Sequence, residues 1–117
     1  MNRLTSIFKL LSDETRLRML VLLYQEELCV CQLSGILDAP QPRVSQNLAK
    51  FRDLDLVTDV RSEKYVYYSL KRDNKTLMRI LDDITSEMDS QPRLLLDRRG
   101  LADKEIYLAQ CGDKCGI

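Results

Sequence analysis

The chain has 117 residues, which is enough for one domain and too few for two domains of ordinary size. Its 18 Lys and Arg side chains balance 18 Asp and Glu side chains, which excludes a strongly basic protein with a high affinity for any polyanion. With 44% hydrophobic residues and only three Pro and four Gly, the composition indicates a folded and mainly helical protein.

Apolar residues spaced three and four apart predict four helices in the first half of the chain. In chain order, the predicted helices cover residues 4–11, 14–26, 31–37 and 42–54. Asp13 is suited to cap the second helix, and Pro42 is suited to the first position of the fourth. The fourth helix places Val44, Leu48 and Phe51 on one face, which we expect to point inward.

The helical period of the apolar residues ends after the fourth predicted helix. Residues 57–61 and 65–70 are rich in β-branched and aromatic side chains and surround a polar turn at 62–64, which predicts a β-hairpin. Residues 77–88 return to helical spacing, and Pro92 is expected to end this last long helix. Residues 92–117 are predicted to form a tail with a short helix over 103–110.

This order of elements predicts a mainly α fold with a small β-hairpin, the winged helix-turn-helix. Residues 1–91 would form the DNA-binding and dimerisation domain, and residues 92–117 a C-terminal tail that carries a cysteine pair. The helices at 4–11 and 77–88 each need a partner for an apolar face, so we expect a homodimer that presents two reading helices to two half-sites.

The middle of the chain carries the side chains expected to contact double-stranded DNA. Residues 41–72 hold seven Lys and Arg against four Asp and Glu, a local charge of +3. Arg pairs well with guanine, Gln and Asn with adenine, and Lys with phosphate. The predicted contacts are Arg43, Ser45, Gln46, Asn47, Lys50 and Arg52 on the fourth helix, and Arg61 and Lys64 beside the hairpin turn. The alternative for each is an ordinary solvated surface.

The four cysteines are the candidate metal ligands, because the chain has no histidine. Thiolates select soft ions. Cys29 and Cys31 are two residues apart, so in one regular helix their side chains would lie about 200° apart. We therefore expect that an ion bound by both sulfurs distorts the first turn of the third helix and lowers DNA affinity by the same coupling free energy. Cys111 and Cys115, at i and i+4, could face one ion, or could be only a reactive tail.

Several motifs together resemble the ArsR/SmtB family of metal-responsive repressors. Residues 11–18 (LSDETRLR) resemble its second-helix signature, and residues 27–33 (ELCVCQL) the metalloid-binding box of its arsenic- and cadmium-sensing members. Residues 41–48 (QPRVSQNL) look like its recognition helix, and residues 56–57 with 67–70 look like its wing. The resemblance covers about residues 3–90 and implies a DNA-binding repressor.

Three positions depart from the family pattern. Ser34 stands where arsenic repressors commonly have a third cysteine, Asn47 stands where histidine is usual, and residues 62–64 lack the usual wing glycine. Because trivalent arsenic prefers three thiolates, we expect Cys111 or Cys115 to complete the site with Cys29 and Cys31. No cofactor is expected for DNA binding itself.

The resemblance implies arsenite or antimonite as inducer, and other ligands stay open. Four thiolates would also suit cadmium or lead, and paired thiols could instead sense oxidants or persulfides. A dithiol oxidoreductase is disfavoured, because Glu26 and Glu27 lie beside the Cys29 box and no histidine could act as base. We expect no enzyme activity.

The apolar residues at 4–11 are too few to span a membrane and no cleavage site follows them, so a cytoplasmic protein without a membrane partner is expected.

Overall fold

The computed structural model describes the backbone of residues 2–111 and the side chains of residues 4–110. It contains seven α-helices and one antiparallel hairpin within that range. In chain order these are α1 (Asn2–Leu11), α2 (Glu14–Gln25), α3 (Val30–Leu37), α4 (Gln41–Asp53), β1 (Val57–Ser62), β2 (Tyr65–Leu70), α5 (Lys75–Ser86), α6 (Pro92–Gly100) and α7 (Lys104–Cys111). Short 3₁₀ turns, Met88–Ser90 and Leu101–Asp103, precede α6 and α7.

Helix α2 is the centre of the core. All five residues from Met19 to Leu23 are buried, so this helix is covered on every side rather than along one stripe. It packs against α1, α3, α5, α6 and the second strand of the hairpin. Its first turn is capped by the Asp13 side chain, which accepts a hydrogen bond from the Arg16 N–H at 3.0 Å, as the sequence predicted.

Helices α3 and α4 form the helix-turn-helix. Asp38 ends α3 in the left-handed conformation with φ 53°, and the chain turns through Ala39 and Pro40 into α4. The inward face of α4 is the predicted one, because Val44, Leu48 and Phe51 have no exposed surface. The helix begins at Gln41, one residue before the predicted start.

The predicted wing is confirmed in position, with Ser62 in the first strand rather than in the turn. Strands β1 and β2 pair antiparallel from Val57–Leu70 to Ser62–Tyr65, which leaves a two-residue turn. Glu63 in that turn has φ 56°, the left-handed region that glycine adopts most easily, so the turn geometry persists without a glycine. The arrangement is the predicted winged helix-turn-helix, mainly α with a small hairpin.

The C-terminal segment differs from the predicted tail. Helix α5 ends at Ser86 rather than near residue 91, and Pro92 begins a new helix instead of only ending the old one. The short helix predicted over 103–110 is present as α7. Both α6 and α7 pack against α3, and α6 also packs against α2, so residues 92–110 are part of the folded body.

Two apolar side chains of α1 lie on the surface. Ile7 and Leu10 are buried in the core, whereas Leu4 and Phe8 are 38% and 54% exposed. Helix α1 therefore has a second apolar face that this chain leaves uncovered. Within residues 2–111, no helix combines the length and apolar character needed to cross a membrane.

Candidate thiol site and nucleic-acid interface

The outward face of α4 carries most of the predicted DNA contacts. Its exposed side chains include Arg43, Ser45, Gln46, Lys50 and Arg52, opposite the buried apolar face. Arg52 also reaches the wing, where its guanidinium lies 3.3 Å from an Asp59 carboxylate oxygen. Because both partners are exposed, this ion pair is weak and leaves the face basic.

Asn47 does not belong to that face. It is 8% exposed, and its side-chain oxygen accepts a hydrogen bond from Arg16 Nε at 3.1 Å while its amide donates to Met19 Sδ at 3.6 Å. The amide therefore joins α4 to α2, and the prediction that Asn47 reads bases is wrong. The helical spacing carried the signal, because Asn47 is three residues after Val44 and four before Phe51.

The wing tip is exposed and basic, as predicted. Arg61 and Lys64 both lie at the surface, and Lys64 Nζ is 5.5 Å from the centre of the Tyr65 ring. The wing tyrosines are half-buried, and Tyr65 packs edge to face on Tyr67 with ring centres 6.4 Å apart. Burial raises the pKa of Tyr68 above its ordinary value. These tyrosines support the wing rather than stack on bases.

The two box cysteines lie at the start of α3, and both are buried. Cys29 has no exposed surface and Cys31 has 3%. Cys29 is the residue before the helix, with extended backbone angles of φ −97° and ψ 174°, and its N–H donates to Gln32 Oε1 at 3.1 Å. The 200° argument assumed that both residues were helical, so it does not apply here, and burial of both side chains is possible.

The box is tied directly to the wing. Leu28, immediately before Cys29, forms an antiparallel bridge with Tyr68, with backbone hydrogen bonds of 3.1 Å and 2.9 Å. Beside it, the Ser69 hydroxyl donates to the Glu27 carboxylate at 3.0 Å. A change of backbone at Cys29 therefore acts on the wing strand as well as on α3.

Cys31 borders a small cleft between α3, α4 and α7. The cleft has a volume of about 200 Å³ and is lined by Cys31, Ser34, Gly35, Gln41, Tyr107 and Gln110. Gln41 Nε2 donates a hydrogen bond to Cys31 Sγ at 3.5 Å. Cys31 takes part in a disulfide bond in this structure. Because an ion needs the thiolate, the ion-binding form must be the reduced one.

Ser34 has a structural role instead of a place in a ligand shell. Its hydroxyl donates to the Ala39 carbonyl at 2.5 Å and so closes the turn between α3 and α4. The hydroxyl is a hard donor that stays protonated near neutral pH, which makes it a poor substitute for the third thiolate. The departure from the family pattern at this position therefore stabilises the turn.

Helix α7 packs very closely against α3, the helix that carries Cys31 and is called the box helix below. A methyl group at Gly35 would lie 2.3 Å from two atoms of the Tyr107 ring, so only glycine leaves room for this contact. The Tyr65 hydroxyl donates to the Leu108 carbonyl at 3.4 Å, and Lys104 forms an ion pair with Glu26. The C-terminal helix thus contacts the box helix, the wing and the end of α2.

The side chain of Cys111 and all of Cys115 lie outside the described residues, so the predicted four-cysteine site is not described as a whole. Among the side chains of residues 4–110, no three Cys, Asp or Glu groups lie close enough together to hold a metal ion. The structure does describe the end of α7 close to the box. Gln110, the neighbour of Cys111, lines the cleft beside Cys31. The cysteine pair begins where α7 ends.

A buried ion pair, which the sequence did not predict, holds the C-terminal segment in place. Arg18 of α2 makes two hydrogen bonds to the Asp97 carboxylate of α6, at 2.8 and 2.9 Å, and a third at 3.5 Å to the Leu37 carbonyl at the end of α3. Asp97 is 3% exposed. The hydrogen bond to Asp97 raises the pKa of Arg18, against the opposing effect of burial.

The sequence matches known regulators over the segment that contains the cysteine box and α4. Residues 13–59 match the family model described as bacterial regulatory protein, arsR family. The chain is 45% identical over 65 residues to the arsenic resistance transcriptional regulator ArsR1 of Pseudomonas putida. This match covers 55% of this chain and 51% of that protein. The match therefore spans about half the length of that relative.

Other relatives differ in the ion that their names state. ArsR2 of Pseudomonas putida, an arsenic resistance transcriptional regulator, is 37% identical over 86 residues, covering 73% of this chain and 75% of that protein. The cadmium resistance transcriptional regulatory protein CadC of Listeria innocua is 38% identical over 68 residues, 57% of each chain.

The fold is similar to that of solved regulators. HlyU from Vibrio cholerae superposes with a TM-score of 0.64 at 28% identity, covering 71% of this chain and 88% of that chain. The family model covers α2, α3, α4 and the start of the wing, and the match to ArsR2 covers three quarters of that relative's length. This chain is therefore a member of the arsR family of bacterial regulatory proteins.

Proposed function

We propose that this protein is a transcriptional repressor that releases its operator DNA when a trivalent arsenic or antimony species binds the thiolates of Cys29 and Cys31. The observation that carries the proposal is the position of the box. Cys29 follows a residue bridged to the wing, and Cys31 accepts a hydrogen bond from the first residue of α4. The wing and α4, the two elements expected to contact DNA, are therefore each joined by hydrogen bonds to a residue of the box.

The box cysteines suit a soft ion and not a catalytic role. Their sulfurs are soft donors and are buried among apolar side chains, where an unpaired thiolate is disfavoured but an ion-bound sulfur is not. A bound ion would supply bonds to these sulfurs. Cys29 has no exposed surface, which keeps a protein substrate from reaching its sulfur and argues for a regulator rather than a dithiol oxidoreductase.

Release follows from linkage between the two sites. If the ion-bound box needs a different backbone at Cys29 than the DNA-bound protein does, each ligand weakens the other by one coupling free energy. About 3 kcal/mol of coupling changes operator affinity by roughly a hundredfold. The backbone change at Cys29 would reach the wing through the Leu28–Tyr68 bridge, and it would reach α4 through α3.

The proposed active form is a homodimer in the cytoplasm, without a membrane partner. Leu4 and Phe8 leave an apolar face of α1 exposed, and a second copy of the chain could cover it. A twofold dimer would present two α4 helices to a symmetric operator. The basic side chains Arg43, Lys50 and Arg52 and the wing residues Arg61 and Lys64 would then meet phosphates and base edges on both half-sites.

The choice of ion is tested by titration of the reduced protein on its operator. Arsenite, antimonite, cadmium, lead and zinc are added separately while fluorescence anisotropy reports the DNA-bound fraction. Release by arsenite or antimonite at the lowest concentration supports the proposal. Release by cadmium or lead alone would instead make the protein a cadmium- or lead-responsive repressor, and CadC is named for cadmium resistance.

A thiol-redox repressor is the second candidate, because Cys31 is disulfide-bonded in this structure. In that case two thiols would form one disulfide and pass two electrons and two protons to an oxidant. Diamide, added without any metal and with a chelator present, would then release the operator, and dithiothreitol would restore binding. An unchanged DNA-bound fraction under diamide would exclude this candidate.

The DNA face gives the first mutational prediction. Gln46→Ala should weaken cognate operator binding by about 1–3 kcal/mol and relax base choice, because an exposed amide near the helix start can pair with a base edge. Lys50→Ala should weaken binding to every sequence and reduce the dependence on salt. Binding isotherms on cognate and shuffled DNA at several salt concentrations measure both effects. Unchanged affinity in both variants would show that α4 does not read DNA.

The tail gives the second prediction. A chain cut after Ala109 keeps Tyr107 and its contact with Gly35, so folding and DNA binding should stay nearly intact. It lacks Cys111 and Cys115, and its response to arsenite should weaken by about tenfold or more, the equivalent of about 1.4 kcal/mol for one lost ligand. X-ray absorption should count three sulfur neighbours of arsenic in the full chain and fewer in the cut one. Equal counts and equal responses would remove the tail from the site.

A further inference from the structure

A groove beside α4 brings together side chains from three helices. It has a volume of about 440 Å³ and is lined by Lys9 of α1, Arg16 of α2, and Gln46 and Lys50 of α4, among others. Gln46 and Lys50 are both exposed and lie four residues apart, on one face of the helix. The groove therefore continues the surface of α4 that is expected to contact DNA.

The lining of this groove has an excess of positive charge. Lys9, Arg16 and Lys50 are basic, whereas Asp53 is the one acidic residue of the lining. Within the part of the chain that the structure describes, Asp53 forms no ion pair with any of the three. Lys9 and Lys50 are exposed, so an anion from outside the chain can reach both ammonium groups.

Arg16 is half-buried and is held in place by Asn47. Its Nε donates to the Asn47 side-chain oxygen at 3.1 Å, and the buried Asn47 amide is itself fixed by its contact with Met19 Sδ. Among the described residues, Asn47 is the one partner to which the guanidinium donates. Because the guanidinium is planar, the bond at Nε fixes its orientation and leaves the two terminal nitrogens to donate in parallel to a phosphate.

We propose that Lys9 and Arg16 bind the sugar–phosphate backbone of the DNA strand that runs beside α4, with Asn47 as the positioning residue for Arg16. The inference rests on the proposed function, since it assumes that the protein binds operator DNA, but it does not depend on the inducer. It deepens that function by extending the DNA interface from α4 and the wing onto α1 and α2.

The geometry of a duplex explains why the groove would meet a phosphate strand. When a reading helix lies in the major groove, the helices packed beside it cross the backbone that borders the groove. Contacts to phosphate fix the register of the protein on the duplex, whereas contacts to base edges read the sequence. Lys9 and Arg16 should therefore strengthen binding to every sequence, unlike Gln46.

The test compares the salt dependence of DNA binding in Lys9→Ala, Arg16→Gln and Arg16→Lys with that of wild type. The probes are a duplex that the wild-type protein selects from a random-sequence library and a shuffled duplex of the same length. Fluorescence anisotropy gives the Kd of each reduced protein at several salt concentrations. The matched control is Lys75→Ala, since Lys75 is an exposed lysine at the start of α5 that lines a different cleft.

Each phosphate contact releases counterions from the DNA. The slope of log Kd against log salt should therefore fall by about 0.9 for each copy of the chain on the DNA, in Lys9→Ala and in Arg16→Gln. Arg16→Gln should also bind both duplexes about tenfold or more weakly at low salt, the scale of one lost hydrogen bond from a charged group. Lys75→Ala should keep the wild-type slope.

Arg16→Lys separates a phosphate contact from a purely structural role. It keeps the charge and loses the bond geometry at Asn47, so it should keep most of the wild-type slope. If Arg16 served only to hold Asn47, Arg16→Lys and Arg16→Gln would have the same slope. Lys9 is exposed and its replacement should not disturb folding, so Lys9→Ala tests the groove even if the Arg16 variants fold poorly.

The outcomes separate the inference from the function on which it rests. A wild-type protein that selects no duplex would overturn the proposed function and, with it, the inference. Wild-type slopes in both Lys9→Ala and Arg16→Gln would overturn the inference alone and leave DNA reading by α4 standing. An equal fall of the slope in Lys75→Ala would also overturn it, because the effect would then follow the net charge and not the groove.

Discussion

Asp97→Ala is expected to lower the free energy of unfolding by about 3–5 kcal/mol, because it leaves the largely buried Arg18 guanidinium without its carboxylate. Arg18 is 12% exposed and Asp97 is 3% exposed, so water cannot replace the missing partner well. Domains of this size unfold at a cost of about 5–15 kcal/mol, so the loss would be a large fraction of the total. Urea unfolding followed by circular dichroism measures it.

The control is Asp83→Ala, a change of the same kind at an exposed position inside α5. We expect it to alter the free energy of unfolding by less than about 0.5 kcal/mol. The double variant Arg18→Leu/Asp97→Leu removes both charges and should recover much of the stability, since apolar pairs often replace buried ion pairs without loss. A loss below about 1 kcal/mol for Asp97→Ala would mean that the pair does not hold α6 in solution.

Cys29→Ala and Cys31→Ala should each abolish inducer response while DNA binding persists. Both sulfurs are required if the ion is to hold the changed backbone at the box. The ratio of the operator Kd with arsenite to the Kd without it should therefore fall from about a hundredfold to near unity. Anisotropy titration of the operator complex with arsenite measures the response. Alanine is chosen because both sites are buried, and a serine hydroxyl there would add an unsatisfied polar group.

Ser34→Ala is the matched control for the cysteine variants. It lies on the same helix, three residues after Cys31, and removes the hydroxyl that closes the turn to Ala39. We expect it to cost about 1 kcal/mol of stability and to leave the response to arsenite within about threefold of wild type. A cysteine variant that still releases its operator normally would exclude that cysteine from the sensor.

Much of the fold is predictable from local spacing. Val44, Leu48 and Phe51 repeat with helical period and are all buried, and the β-branched and aromatic runs over 57–61 and 65–70 form the predicted hairpin. Helix α4 buries one apolar face, so the spacing of its apolar residues specifies it, whereas the hairpin is specified by the high strand propensity of its residues. The same spacing places Asn47 inward, but its polar side chain suggested a surface position.

The missed features depend on contacts distant in sequence. Helix α6 has no clear apolar stripe, and a carboxylate and a guanidinium 79 residues apart hold it in place. The contact between Gln41 and Cys31 joins two helices across a turn, and the fit of Tyr107 on Gly35 depends on how α7 returns to α3. No local pattern in the chain encodes such pairs.

Gly35 has a consequence for the local stability of the box helix. Helix α3 has only eight residues, and glycine in a helix interior is less favourable than alanine by about 1 kcal/mol. A helix this short depends on tertiary contacts to stay folded, and here the Tyr107 ring occupies the space that a larger residue at position 35 would fill. The contact with Tyr107 therefore couples the stability of α3 to the docking of α7, and undocking of α7 would lower the resistance of α3 to local opening.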